Sequence, residues 1–125
     1  MILSGQSSEE AIAAAKRALD NHKQFWFGSV KVESEFYDLG IMTKEERLMA
    51  VDIALLEITA RDRLGPEPPG NVSHPSSPFP TQPLYAFCWQ SQEYGKLMYF
   101  KFGVGGSRRR PQLAVYSFHE SKPRP

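Results

Sequence analysis

The sequence predicts an α+β fold in which two N-terminal helices pack on a C-terminal three-stranded antiparallel meander, and three observations predict it. Two segments of the first half open with a capping box and run on into helix formers. Three apolar runs separated by polar turns fill the last third. A proline-rich stretch with no apolar periodicity lies between them.

The first helix is read from "SSEEAIAAAKRALDNHK", where Ser7 can cap and Glu10 can reach back, giving a helix over residues 8–22. The following "FWFGSVKVESEF" is rich in aromatic and β-branched residues and alternates at Val30 and Val32, which predicts a possible short strand near 25–32. Thr43 and Glu46 then form a second capping box. Leu48, Val51, Leu55 and Ile58 follow at spacings of three and four, so the second helix is expected to run from 44 to 63.

Residues 65–83, "GPEPPGNVSHPSSPFPTQP", hold most of the prolines and cannot form a helix or a central strand. The stretch reads as a linker or lid, mobile or partly ordered, longer than compact domains usually carry. After it, "LYAFCWQ", "KLMYFKFGV" and "QLAVYSFH" form the meander, with turns at "SQEYG" and "GGSRRRP". Alternation in the middle strand puts Met98, Phe100, Phe102 and Val104 on the core face and Leu97, Tyr99 and Lys101 on the other. In the last strand both alternating sets are apolar, so the pattern assigns His119 to neither face.

At 125 residues the chain is read as a single domain, 1–125, able to build a core without staples. The lone Cys88 cannot pair internally, and the N-terminal "MILSGQSSEE" has neither the basic flank nor the apolar run of a signal or membrane span. A soluble cytoplasmic protein is expected. Net charge is divided unevenly: residues 1–65 carry 8 Lys and Arg against 11 Asp and Glu, residues 66–125 carry 7 against 3. The basic, aromatic half suits single-stranded nucleic acid, but basic side chains also guard sheet edges against pairing.

Each candidate residue has two readings. Tyr99 can stack on a base or be a strand aromatic with a wet hydroxyl. Lys101 can bind phosphate or only solubilise. His119 can exchange a proton near neutral pH or simply end a strand. Arg108, Arg109 and Arg110 in the last turn can grip a nucleic-acid backbone or be a solvated loop. His22, His74 and His119 show no zinc spacing, and neither a phosphate-cradling glycine loop before a helix nor a serine-hydrolase elbow is present, so no metal or cofactor is expected.

"LMYFKFGV" followed by "LAVYSFHE" resembles the RelE-like toxins, and more closely the MqsR family of messenger RNA interferases, and "YDLGIMTKEE" resembles that family's Leu-Gly-hydrophobic turn into the second helix. Together these segments span about two thirds of the chain. The resemblance implies a strand tyrosine at Tyr99, its lysine at Lys101, and His119 where the family carries lysine. Gln90 after Trp89 corresponds to a family glutamine, and Arg61 or Arg63 to a lysine near the end of the second helix. It further implies a metal-independent endoribonuclease of a type II toxin–antitoxin system, with messenger RNA as substrate, on or off the ribosome, and a cognate antitoxin as partner. Catalysis would fall to His119, Tyr99, Lys101 and Arg63, and RNA binding to Gln90, Arg61 and the three turn arginines. The alternative from a different class is a non-catalytic RNA- or protein-binding module of a phage-defence or inhibitor system.

Overall fold

A computed structural model of the chain describes residues 7–21, 25–26, 30–65, 83–106 and 109–121. The linker or lid expected at 65–83 therefore lies, between its end residues, outside the described residues. In chain order the elements are α1 (Ser8–Asn21), β1 (Phe25–Trp26), α2 (Val30–Asp38), α3 (Lys44–Glu57), a 3-10 turn (Ala60–Asp62), β2 (Arg63–Leu64), β3 (Leu84–Gln90), β4 (Leu97–Gly106) and β5 (Pro111–Glu120). The five strands form one sheet in the order β1-β5-β4-β3-β2, antiparallel throughout except for the parallel β1–β5 pair.

The expected meander is its centre, β3-β4-β5, and the possible short strand near 25–32 is present only as the two residues of β1; a second two-residue strand, β2, adds at the other edge, and there are three described helices where two were expected. Such short pairings leave no period to read in a sequence.

Both capping boxes form. Glu10 N donates to Ser7 Oγ at 3.2 Å and Ser7 N to the Glu10 carboxylate at 3.1 Å. Thr43 and Glu46 repeat the exchange at 3.1 and 2.9 Å. α1 turns a mostly alanine face inward, with Ala11, Ala15 and Ala18 fully buried, and these small side chains let it lie close on β4 and β5.

The segment around Val30 and Val32 is helix α2. Its operative spacing is Val32 to Phe36, four apart and both fully buried, whereas Val30 is 82% exposed. The "YDLGI" stretch ends this helix in a Schellman motif: Ile41 N donates to Phe36 O and Gly40 N to Tyr37 O, both at 2.9 Å, with Gly40 at φ 78°. A Cβ at Gly40 would meet nothing within 4 Å, so Gly40→Ala tests backbone strain alone. It is expected to destabilise the fold by about 1 kcal/mol, read as a lower urea midpoint. An unchanged midpoint would mean that the helix end is not held in this conformation.

α3 ends at Glu57, not at 63. Ile58 is already extended at ψ 150°, and Thr59 N donates to the Asp62 carboxylate at 2.8 Å. That local bond competes with the helical one, starts the 3-10 turn, and frees Arg63 and Leu64 to pair with Phe87 and Ala86.

One face of the sheet carries Tyr85, Phe87, Trp89, Met98, Phe100, Phe102, Val104, Leu113, Val115 and Phe118, all buried with apolar residues of α1, α2 and α3. Aromatic rings stack through it, Phe87 on Phe102 at 5.6 Å and Phe36 on Phe118 at 5.1 Å.

Candidate functional site

The opposite face is left uncovered by α1 and α3, and its residues follow from the strand register. Cys88 pairs with Tyr99, Gln90 with Leu97, Lys101 with Ser117, and Tyr99 with His119. Directly paired residues share a face, so Gln90, Cys88, Tyr99, Lys101, Ser117 and His119 form one patch.

His119 reaches this face because β5 carries a bulge. Phe102 pairs with Val115 but Lys101 with Ser117, leaving Tyr116 as the extra residue. The inserted residue reverses the alternation. Leu113 and Val115 point into the core before it, Phe118 points there after it, and Ser117 and His119 turn to the other side. This is why both residue sets of the last strand look apolar in sequence.

Helix α2 holds the bulged strand along its outer edge. Lys31 Nζ donates to Ser117 Oγ at 3.2 Å, and the Glu35 carboxylate accepts from Phe118 N at 2.9 Å. One residue on, the His119 ring stacks on Tyr99 with centroids 5.0 Å apart and planes 29° from parallel. His119 Nδ1 lies 2.8 Å from Glu120 O. A carbonyl only accepts, so Nδ1 carries the hydrogen, and in the neutral ring Nε2 is the nitrogen with the available lone pair. Burial, then the nearby Glu35 carboxylate and Cys88, push the Tyr99 phenol above its ordinary value, so it stays protonated and can donate at neutral pH.

The other expected residues are placed less favourably. Gln90 is exposed on the same face, a diagonal neighbour of Tyr99. Arg63 pairs with Phe87, whose side chain is in the core, and so leaves the sheet on the helix side, bonding back to Gly65 O. It does not join Tyr99 and His119. Arg61 is exposed in the 3-10 turn. Arg109 and Arg110 are exposed at the β4–β5 turn, about 30 Å along the strand from His119 at roughly 3.3 Å per residue, and Arg108 lies outside the described residues.

Sequence reasoning missed Lys31 and Glu35. Their spacing of four would have put them on one helix face, but only if the segment had been read as helix.

A second polar cluster, on the core side, is organised by Glu57. Its carboxylate accepts from Trp89 Nε1 at 2.9 Å, Ser91 Oγ at 2.7 Å, and Gln92 N and Glu93 N at 3.0 Å each. Burial pushes this carboxyl up, but the four donors outweigh it and hold it below the usual glutamate range. With every lone-pair direction occupied, this carboxylate fastens the end of α3 to the β3–β4 turn and has little capacity left for a ligand.

No family model, curated protein or solved structure matches the chain. Among the described residues no helix is long and apolar enough to cross a membrane.

Proposed function

We propose that the protein is a metal-independent endoribonuclease acting on single-stranded messenger RNA in the cytoplasm, the toxin of a type II toxin–antitoxin pair, held inactive by a partner protein. The observation that carries this reading is the cross-strand pair of Tyr99 and His119, stacked at 5.0 Å beside Lys101 on the sheet face opposite α1 and α3.

In the reaction the RNA 2′-oxygen attacks the adjacent phosphorus, the bond to the 5′-oxygen breaks, and a 2′,3′-cyclic phosphate remains. His119 Nε2 takes the 2′-hydroxyl proton while water protonates the departing 5′-oxygen, or the protonated ring gives its Nε2 proton to that oxygen while water takes the 2′-hydroxyl proton. The Tyr99 phenol, kept protonated, donates to a phosphoryl oxygen, and the Lys101 ammonium offsets the charge that builds on the phosphorane. Gln90, exposed on the same face, meets a base edge or a sugar hydroxyl in this scheme. Arg63 has no part in this scheme.

Incubating purified protein with labelled single-stranded RNA in EDTA is expected to give fragments ending in 2′,3′-cyclic phosphate or 3′-phosphate. Intact RNA, or cleavage restored only by added Mg²⁺ or Zn²⁺, would overturn the mechanism. RNA bound but never cut would instead favour a non-catalytic binding module.

A further inference from the structure

We propose that Lys31, Lys101 and Ser117 form a phosphodiester-binding subsite where α2 meets the sheet, gripping the phosphate that flanks the reacting one. This rests on reading the Tyr99–His119 face as an RNA site and adds to it a residue, Lys31, from an element outside the sheet.

Ser117 is only 2% exposed, yet its hydroxyl lies 3.2 Å from the Lys31 ammonium, and its cross-strand partner is Lys101. Directly paired strand residues have Cβ atoms about 5 Å apart, so a second ammonium has the same hydroxyl within reach. One cation thus touches the hydroxyl and a second stands at the directly paired position, and neither makes an ion pair among the described residues. Glu35, four residues on from Lys31 along α2, accepts from Phe118 N with one carboxylate oxygen. Having accepted a hydrogen bond from Lys31, the Ser117 hydroxyl still has its own hydrogen to give.

A phosphate oxygen suits this arrangement, since it can take the hydroxyl hydrogen and face both ammoniums. His119 lies two residues further along the same face, about 7 Å away. A backbone phosphate held by the lysines at the Ser117 position therefore leaves a neighbouring nucleotide beside the Tyr99–His119 pair.

The test uses a single-stranded DNA oligonucleotide, which lacks the 2′-hydroxyl and cannot be cut by this chemistry, so binding is read without turnover. Affinity is measured by fluorescence anisotropy across a series of salt concentrations for the full chain and for Lys31→Met, Lys31→Arg and Arg17→Gln. Arg17 is exposed on α1, on the other side of the sheet, and its loss changes net charge equally.

Lys31→Met is expected to weaken binding about three- to tenfold and to reduce the slope of log affinity against log salt by about 0.7, one phosphate contact on a single strand. Lys31→Arg should retain both, and Arg17→Gln should change neither. Equal effects of Lys31→Met and Arg17→Gln, or an oligonucleotide that the wild-type chain does not bind, would overturn the subsite. Lys31-dependent binding by a protein that leaves RNA uncut would overturn the nuclease reading and uphold the subsite.

Discussion

His119→Ala is expected to lower RNA cleavage by about a hundredfold or more, because a positioned general acid or base typically contributes 10² to 10⁴ in rate. Stability should change little. His119 is only partly buried near the end of β5, its one described hydrogen bond is to the carbonyl of the next residue, and its main contact is the Tyr99 ring. A stacked ring pair is worth about 0.5–1.5 kcal/mol, which sets the ceiling on the loss. His119→Lys should keep part of the activity, since an ammonium can still stabilise phosphorane charge although it is a poorer proton carrier at neutral pH. Unfolding and cleavage measured on the same two variants separate the roles. An alanine variant that is destabilised yet fully active per folded molecule would remove His119 from the chemistry.

Glu57→Ala is expected to have the opposite profile. It strips the acceptor from two buried side-chain donors, Trp89 Nε1 and Ser91 Oγ, and from two backbone N–H groups of the β3–β4 turn. A buried donor left unpaired costs about 1–3 kcal/mol, and water entering at the exposed turn recovers part of that, so a net loss of about 3 kcal/mol is expected. For a domain of this size that corresponds to a Tm lower by roughly 10 °C. A loss below about 0.5 kcal/mol would show that the turn is held by other contacts.

The same carboxylate sets a pH dependence. Its folded pKa is depressed, so its contribution is complete above the ordinary glutamate value and is lost as pH falls through the lower, folded value. Wild-type stability should therefore decline on acidification below the usual glutamate range. The decline should be shallower in Glu57→Gln, which has no proton to take up there.

How much of this was legible in the sequence is best seen at particular residues. Thr43 and Glu46, Ser7 and Glu10, and the alternation of Met98, Phe100 and Phe102 are local signals, each relating residues two or three positions apart. They predicted two helix starts and the core face of β4, because capping and pleating depend only on near neighbours in the chain. Val30 and Val32 misled for the same reason. Two β-branched residues at a spacing of two satisfy a strand locally, and only burial of Val32 with Phe36 against the core selects the helix.

By itself, then, the sequence determined that helices precede a β-meander, and that Tyr99 and Lys101 leave the middle strand away from its core face. Tertiary structure alone decided where His119 points. One bulge residue, Tyr116, inverts the alternation of β5, and the Glu35 carboxylate and Lys31 ammonium of α2 hold the strand just beyond it. It likewise separated Arg63 from the site, since pairing with Phe87 turns that strand residue to the helix side. Side-chain direction in a sheet has a period of two, so a single inserted residue moves everything after it to the opposite face, and that insertion is defined only by the partner strand.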